Sequence, residues 1–170
     1  MQAPAGVAVD VYVSAGSNVD PEDNLRFACA ELRRRFGSID VSSVYRNSPV
    51  GFTGDDFLNL VLRFRTDESP EAVIAELERL HRLAGRVRGS ARFAPRTLDL
   101  DLLLYGSAVL PDPPVRVPRE DIGDYGFVLG PLAELAPELR HPVTLETMAE
   151  MWARFDRESH PIEQVPNLHF

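Results

Sequence analysis

The stretch Arg-Thr-Leu-Asp-Leu-Asp-Leu-Leu-Leu at residues 96–104 contains a strict alternation of polar and apolar side chains over residues 97–102. This alternation predicts a β-strand, because successive side chains of a strand point to opposite faces of the sheet. Leu98, Leu100 and Leu102 then share one face, whereas Asp99 and Asp101 share the other, about 7 Å apart along the strand. We therefore expect a strand with one buried face and two neighbouring carboxylates on the opposite face.

Five further elements precede this strand in the sequence. A strand of alternating valines should end in a turn at residues 16–18, and a helix should begin at Pro21 after the capping residue Asp20 and stop at Gly37. A second helix should stop at Gly85. The predicted order is strand, helix, strand, strand, helix, strand, at residues 7–13, 20–37, 39–45, 57–65, 69–85 and 97–105. This order predicts an α+β fold, a ferredoxin-like antiparallel sheet with helices packed on it in three α/β/α layers.

The C-terminal third adds shorter elements to this plan. We expect a short hairpin at residues 108–110, a last strand at 115–117, and helices at 127–135 and 144–155. The polar tail at residues 156–170 is expected to be peripheral. Because the sequence contains no internal repeat and no linker, residues 1–170 are predicted to form a single domain.

The composition argues against several classes of function. The 170 residues carry a net charge of −8, which is unlike a general nucleic-acid binder. The single cysteine allows no disulfide within the chain, which suits a reducing cytoplasm. The sequence has no apolar run of membrane-spanning length and no signal-peptide pattern. We therefore expect a cytoplasmic protein, a monomer or weak homodimer, that acts on small molecules without nucleic-acid or membrane partners.

The positive charges are concentrated just before the two aspartates. The chain has no lysine, and Arg86, Arg88, Arg92 and Arg96 occupy a segment free of Asp and Glu. Guanidinium groups bind phosphate oxygens bidentately, and Mg²⁺ bridges carboxylates to phosphates. No P-loop motif occurs in the sequence. The pattern indicates a polyphosphate site, with a solvated strand face beside water-facing arginines as the alternative.

The stretch at residues 92–101, Arg-Phe-Ala-Pro-Arg-Thr-Leu-Asp-Leu-Asp, closely resembles the signature of the 6-hydroxymethyl-7,8-dihydropterin pyrophosphokinase family. The resemblance extends over roughly residues 11–137, and a series of collinear motifs is far more specific than any one of them. The other matching motifs lie at residues 15–18, 43–46, 57–59, 85–88, 126–129, 131–132 and 135–137. The resemblance implies a diphosphotransferase of folate biosynthesis, which moves pyrophosphate from ATP to the hydroxymethyl group of the pterin and releases AMP.

The resemblance also implies roles for individual residues. Asp99 and Asp101 would bind two Mg²⁺ ions that bridge the ATP phosphates, and the implied catalytic residues are Arg86, Arg96, Asp99 and Asp101. Asn59 would hydrogen-bond the pterin ring between two phenylalanines, in an implied pterin site that consists of Val50, Phe57, Asn59 and Phe127. The implied ATP contacts are Arg86, Arg88, Arg96, Leu102, Arg116 and Arg119. Loops at residues 48–56 and 86–93 would close over the bound substrates.

The chain departs from the family pattern mainly on the nucleotide side. Arg119 and Glu120 stand where the family usually has histidine, often with tyrosine; Tyr125 replaces an arginine, and His81 replaces an acid. We hypothesise that Arg119 reaches the phosphates itself. Because of these departures, two alternative functions stay open: a paralogue that binds a pterin without turnover, and a paralogue that uses another pterin or nucleotide. A regulatory or RNA-binding module on the same fold is a third reading, disfavoured by the acidic charge and the lack of an aromatic RNP pattern.

Overall fold

The structure is a computed structural model that describes residues 6–51, 53–87 and 98–170; of residues 86 and 87 it describes the backbone alone. The helices and strands, in chain order, are β1 (Val9–Ser17), α1 (Pro21–Phe36), β2 (Asp40–Val41), β3 (Tyr45–Asn47), β4 (Phe57–Thr66), α2 (Pro70–Val87), β5 (Asp99–Tyr105), α3 (Asp121–Asp124), α4 (Gly126–Leu135), α5 (Met148–Arg154) and β6 (Glu163–Gln164).

The described strands form one sheet in the order β5-β1-β4-β3-β6, with β2 beside β4. Every pairing between these strands is antiparallel. In this order β5, the last strand of the predicted β-α-β-β-α-β arrangement, lies next to β1, the first, as a ferredoxin-like fold requires. The predicted fold class is confirmed.

Two separate apolar cores lie on the two faces of the sheet. Helices α1 and α2 cover one face, where the predicted apolar side of β4, from Leu58 to Phe64, packs with Leu100 and Leu102 of β5. Helices α3, α4 and α5 cover the other face, where Tyr12 and Val61 are buried. The result is the predicted three-layer α/β/α architecture. Asp99 and Asp101 belong to the second face. They lie at the N-terminal end of β5 and are only partly buried there.

The second strand of the plan is broken into two short pieces. Residues 39–45 were expected to form one strand, but β2 ends at Val41 and β3 begins at Tyr45. Ser42 lies between the two pieces: its N–H donates to Val61 O at 2.9 Å, and its Oγ accepts from Val61 N–H at 3.0 Å. A serine side chain here replaces a backbone carbonyl of the ladder, which explains why a regular strand does not continue.

The predicted helix ends are confirmed at one glycine and wrong at another. Gly37 terminates α1 with φ of 87° and donates its N–H to Arg33 O, as predicted. Helix α2 instead passes through Gly85 to Val87, because Gly85 does not adopt a positive φ. Helix α5 begins at Met148, later than expected, after a capping box in which Thr147 and Glu150 exchange hydrogen bonds. Among the described helices, none has both the length and the apolar character needed to cross a bilayer.

The C-terminal third differs in detail from the expected elements. In place of a hairpin at residues 108–110 and a separate strand at 115–117, Leu110 and Val117 form a single antiparallel bridge. The tail, expected to be peripheral, runs along the sheet edge: β6 pairs with β3, and Arg33 Nη2 on α1 donates to Phe170 O. The tail therefore contacts the body of the protein in the sheet and in the first helical layer.

Candidate active site

The site is built on the second face of the sheet, where β5, β1 and β4 lie side by side. Asp101 is paired with Ser14 and Asp99 with Gly16, and Gly16 is paired on its other side with Asn59. Asp99, Gly16 and Asn59 therefore form one row across three strands. Their alternate neighbours point into the first core, so the face pattern predicted from the sequence agrees with the structure.

A bulge in β5 follows directly after the two aspartates. Tyr12 of β1 is paired with Leu104 and the next residue, Val13, with Leu102, so Leu103 is an extra residue in β5. Both Leu103 and Leu104 pack into the second core. The bulge therefore lets the apolar end of β5 fill the helical layer while its polar beginning stays at the site.

A cavity of about 280 Å³ opens over this row of residues. Its lining includes both aspartates and the four residues expected at the pterin. These six residues are far apart in the sequence. Its lining consists of Ser14, Ala15, Gly16, Asn47, Val50, Phe57, Asn59, Asp99, Asp101, Asp121, Tyr125, Phe127 and Val128. An apolar slot with aromatic and amide side chains thus borders directly on a cluster of carboxylates.

The amide of Asn59 has a fixed orientation at the floor of this cavity. Asn59 is 7% exposed, and its Nδ2 donates to Asn47 Oδ1. Asn47 in turn donates from its own Nδ2 to Ser48 O at 3.0 Å. A Cβ atom on Gly16 would collide with Asn59 Oδ1, so the absence of a side chain at Gly16 makes room for this amide. Asn59 can therefore present its oxygen to a ligand in a defined geometry.

The carboxylate end of the cavity has unfavourable electrostatics that a cation would relieve. Burial raises the pKa of Asp101 above its ordinary range; Arg119 opposes this shift, and the negative charges of Asp99 and Asp121 add to it. Asp121 begins α3 and contributes a third carboxylate to the cavity lining. Neighbouring carboxylates around a partly buried space favour a hard cation with oxygen ligands, although no three acidic, histidine or cysteine side chains among the described residues are grouped closely enough to hold one ion by themselves.

Arg119 lies between two of these carboxylates. Its Nη2 is 3.5 Å from Asp101 Oδ1, and its Nε is 3.2 Å from Asp121 Oδ2. The backbone N–H of Arg119 donates to Leu103 O at 3.0 Å, which anchors the loop to the bulge of β5. Arg119 also lines a second cavity of about 310 Å³, together with Arg116 and Glu120. Asp121 thus lines both cavities, and Arg119, which lines the second, is in contact with Asp101 of the first.

Comparison with known proteins places this architecture in a family. The family model for 7,8-dihydro-6-hydroxymethylpterin-pyrophosphokinase (HPPK) matches residues 12–137. The chain belongs to the HPPK family. A 2-amino-4-hydroxy-6-hydroxymethyldihydropteridine pyrophosphokinase of Pseudomonas aeruginosa is 38% identical over 136 residues, which cover 78% of this chain and 83% of that protein. The enzyme of the same name from Haemophilus influenzae is 33% identical over 138 residues, which cover 79% and 86%.

A solved structure supports the fold of the HPPK family for this chain. Plasmodium falciparum HPPK-DHPS, in a crystal structure with pterin and p-hydroxybenzoate, superposes with a TM-score of 0.71 at 12% identity. The superposition covers 87% of this chain and 43% of the Plasmodium chain. This chain therefore spans less than half the length of that larger protein, and the likeness concerns the fold alone.

The structure does not bring every residue expected at the HPPK site to the two cavities. Leu102 was expected to contact ATP, but its side chain is 3% exposed and packs in the first core, on the opposite face from Asp101. Arg116 is exposed, lines the second cavity and pairs with Glu120 at 3.1 Å. The side chain of Arg86 and all of Arg88, Arg92 and Arg96 lie outside the described residues.

Six residues of the cavity were not predicted as site residues from the sequence: Ser14, Ala15, Gly16, Asn47, Asp121 and Val128. Gly16 was read as part of a turn, although a glycine inside a strand also signals a close approach of other atoms. Asn47 could have been found from its position at the start of the expected lid loop. Tyr125, noted from the sequence as a departure, stacks on Phe127 with ring centroids 5.0 Å apart and extends the aromatic wall.

Proposed function

We propose that this chain catalyses the magnesium-dependent transfer of pyrophosphate from ATP to the hydroxymethyl group of 6-hydroxymethyl-7,8-dihydropterin, giving AMP, as a step of folate biosynthesis. The observation that carries the proposal is the single cavity in which Phe57, Asn59 and Phe127 adjoin Asp99 and Asp101. The names of the relatives, which are pterin pyrophosphokinases, support the same reaction.

The apolar half of the cavity suits a flat bicyclic heterocycle. Phe57 and Phe127 offer aromatic surfaces to the ring faces, and Val50 closes the loop side. Asn59 offers an amide to the edge of the ring, and its orientation is fixed by Asn47. A ligand with fused rings and amide-like donors and acceptors along one edge matches both features.

The carboxylate half suits Mg²⁺. Asp99 and Asp101 would hold the metal, because both line the same cavity and the burial that raises the pKa of Asp101 makes an uncompensated charge costly. The number of two ions is what the resemblance to the family implies. When bound, magnesium neutralises and orients a triphosphate. The arginines expected at the phosphates, Arg86, Arg88, Arg92 and Arg96, would supply the remaining positive charge from the segment before β5.

The order of the residues along the cavity suits the reaction that the resemblance implies. With its ring between the phenylalanines, the pterin would direct its hydroxymethyl oxygen toward the aspartates. That oxygen would attack the β-phosphorus of ATP in line and release its proton to solvent, while the bond from the β-phosphorus to the oxygen shared with the α-phosphorus breaks and AMP leaves. Catalysis rests on positioning and charge neutralisation, which are the main requirements of phosphoryl transfer.

The nucleotide would occupy the neighbouring cavity. Arg116 and Arg119 line it, and Arg119 and Asp121 lie between it and the aspartates. We also infer that the described residues fold as one domain, because a single sheet serves both cores. The cytoplasmic location, the monomeric or weakly dimeric state and the absence of a nucleic-acid partner stay predictions from the sequence.

The test is to incubate the purified chain with hydroxymethyl-dihydropterin, ATP and Mg²⁺ and to quantify AMP and the pterin diphosphate by chromatography. Stoichiometric formation of both products, dependent on pterin and abolished by EDTA, is expected. Pterin binding without AMP would instead identify a pterin-binding paralogue that has lost turnover. Absence of both binding and turnover would reject the proposal.

A further inference from the structure

The guanidinium of Arg119 occupies the space beside the proposed metal ligands without being tightly held there. Its two carboxylate neighbours, Asp101 and Asp121, lie 3.5 Å and 3.2 Å away. Its Nε is buried and, among the described residues, makes no hydrogen bond of acceptable geometry, although Asp121 Oδ2 is the nearer carboxylate oxygen. The side chain therefore gains charge attraction from the carboxylates but leaves one buried donor unsatisfied, which lowers the cost of moving it.

The position of Arg119 conflicts with a cation on the same oxygen. Mg²⁺ lies about 2.0–2.1 Å from its oxygen ligands, so an ion on Asp101 Oδ1 would lie within about 6 Å of Arg119 Nη2. Two positive charges at this separation in a partly buried cavity repel each other strongly, because the local dielectric screens them less than water does. Occupation of Asp101 by a divalent ion and by Arg119 is therefore antagonistic.

Phosphate groups would resolve this conflict. Arg119 lines the second cavity and contacts Asp101 of the first, and its loop is fixed by the backbone hydrogen bond to Leu103. The side chain can therefore turn away from Asp101 toward the second cavity without moving the loop. A triphosphate in the second cavity would offer the guanidinium a bidentate partner that Asp101 does not provide.

We propose that Arg119 is a displaceable counter-ion of Asp101, which keeps the affinity of the two-aspartate site for divalent cations low until nucleotide phosphates draw the guanidinium away. This inference rests on the proposed function in that it takes Asp99 and Asp101 as the metal ligands. Metal and nucleotide then bind cooperatively. The cooperativity depends on the guanidinium at position 119, where the resemblance to the family leads us to expect a histidine.

The test measures Mn²⁺ binding to the full chain by electron paramagnetic resonance, at fixed ionic strength and without nucleotide. Arg119→Gln should bind Mn²⁺ at least about five-fold more tightly than the unmodified chain, and Arg119→Lys, which keeps the charge, should stay close to it. Arg65→Gln is the matched control, because Arg65 forms an exposed pair with Asp10 at 3.0 Å, and its Mn²⁺ affinity should not change. Adding a non-hydrolysable ATP analogue should reduce the difference between Arg119→Gln and the unmodified chain to less than about two-fold.

The outcomes separate this inference from the proposed function. Equal or weaker Mn²⁺ binding by Arg119→Gln, together with a loss of binding in Asp101→Asn, would overturn the counter-ion role and leave the metal site standing. Unchanged Mn²⁺ binding in both Asp99→Asn and Asp101→Asn would overturn the metal assignment itself, and the counter-ion role with it. Circular dichroism of each variant confirms that the comparison is made between folded proteins.

Discussion

The backbone N–H of Leu100, between the two aspartates of β5, donates a 2.8 Å hydrogen bond to Nε2 of His81 on α2. Strand β5 lies at the edge of the sheet formed by the described strands, so within that sheet this N–H has no neighbouring strand to bond. Since Nε2 accepts a hydrogen bond, it carries no proton, and the ring nitrogen Nδ1 faces Glu78 Oε1 at 3.6 Å. The histidine noted from the sequence as a departure thus ties α2 to the strand that carries the proposed metal ligands.

Replacing His81 should loosen this attachment. His81→Phe keeps the ring volume but removes the acceptor, so a partly buried N–H loses its partner at a cost of about 1–3 kcal/mol. We expect the free energy of unfolding, measured by urea denaturation, to fall by that amount. His81→Gln, whose amide oxygen can accept the same bond, should recover much of the loss. Equal stability of the Phe variant and the unmodified chain would contradict the assigned role.

The thiol of Cys29 should be inert in the folded protein. Cys29 is fully buried on α1, and burial raises the pKa of its thiol to about 11 against a smaller opposing effect of Arg33. At pH 8 only about a thousandth of the thiol would be ionised at such a pKa. We expect iodoacetamide to modify the native chain far more slowly than the urea-unfolded chain; similar rates would contradict the burial of this side chain.

The raised pKa of Cys29 also affects stability at high pH. The unfolded thiol releases its proton near its ordinary pKa of 9.0, whereas the folded thiol holds it to about 11. The stability contributed by the neutral thiol is therefore present below pH 9 and is lost as the pH rises through about 11. The free energy of unfolding should fall more steeply over this range in the unmodified chain than in Cys29→Ala.

The strand faces were predictable from the sequence because they depend on local patterns. Alternation in β4 and β5 fixes which side chains share a face, and the strand order then brings Phe57 and Asn59 near Asp99 and Asp101. These residues meet in the structure through two pairings with β1, each of which follows from apolar alternation alone. Periodicity and fold class therefore predicted which residues share a face, whereas their pterin and metal roles came from the resemblance to the family.

The rest of the site depends on contacts that leave no periodic signal. The ion pairs of Arg119 with Asp101 and Asp121 arise because an irregular connection after β5 returns to the bulge at Leu103. Strand β6 contains two exposed polar residues, so its pairing is decided by backbone hydrogen bonds and has no apolar pattern. Gly16 carried a turn signal, and only the neighbouring strand explains why a glycine is needed inside β1.

Replacing Gly16 should weaken pterin binding selectively. The added Cβ of Gly16→Ala would displace the Asn59 amide from its place beside Asn47. Losing one well-oriented hydrogen bond to the ring corresponds to about a ten-fold or larger rise in the pterin Kd. The control is Gly123→Ala, where nothing lies within 4 Å of the new atom. Titration by pterin fluorescence measures the effect, and an unchanged Kd in Gly16→Ala would exclude Asn59 as a ring contact.

Replacing either aspartate of β5 should abolish turnover while preserving the fold. Asp99→Asn and Asp101→Asn keep the side-chain volume but remove the charge that would hold Mg²⁺, so kcat should fall by roughly 10²–10³-fold or more. Because burial raises the pKa of Asp101, its charge is unfavourable in the folded state, and Asp101→Asn should be no less stable at neutral pH than the unmodified chain. Asp10→Asn, which breaks only an exposed pair with Arg65 on the same sheet, is the matched control and should keep full activity. If both Asp99→Asn and Asp101→Asn retained activity, the reaction would not depend on these carboxylates, and the proposed magnesium site would be wrong.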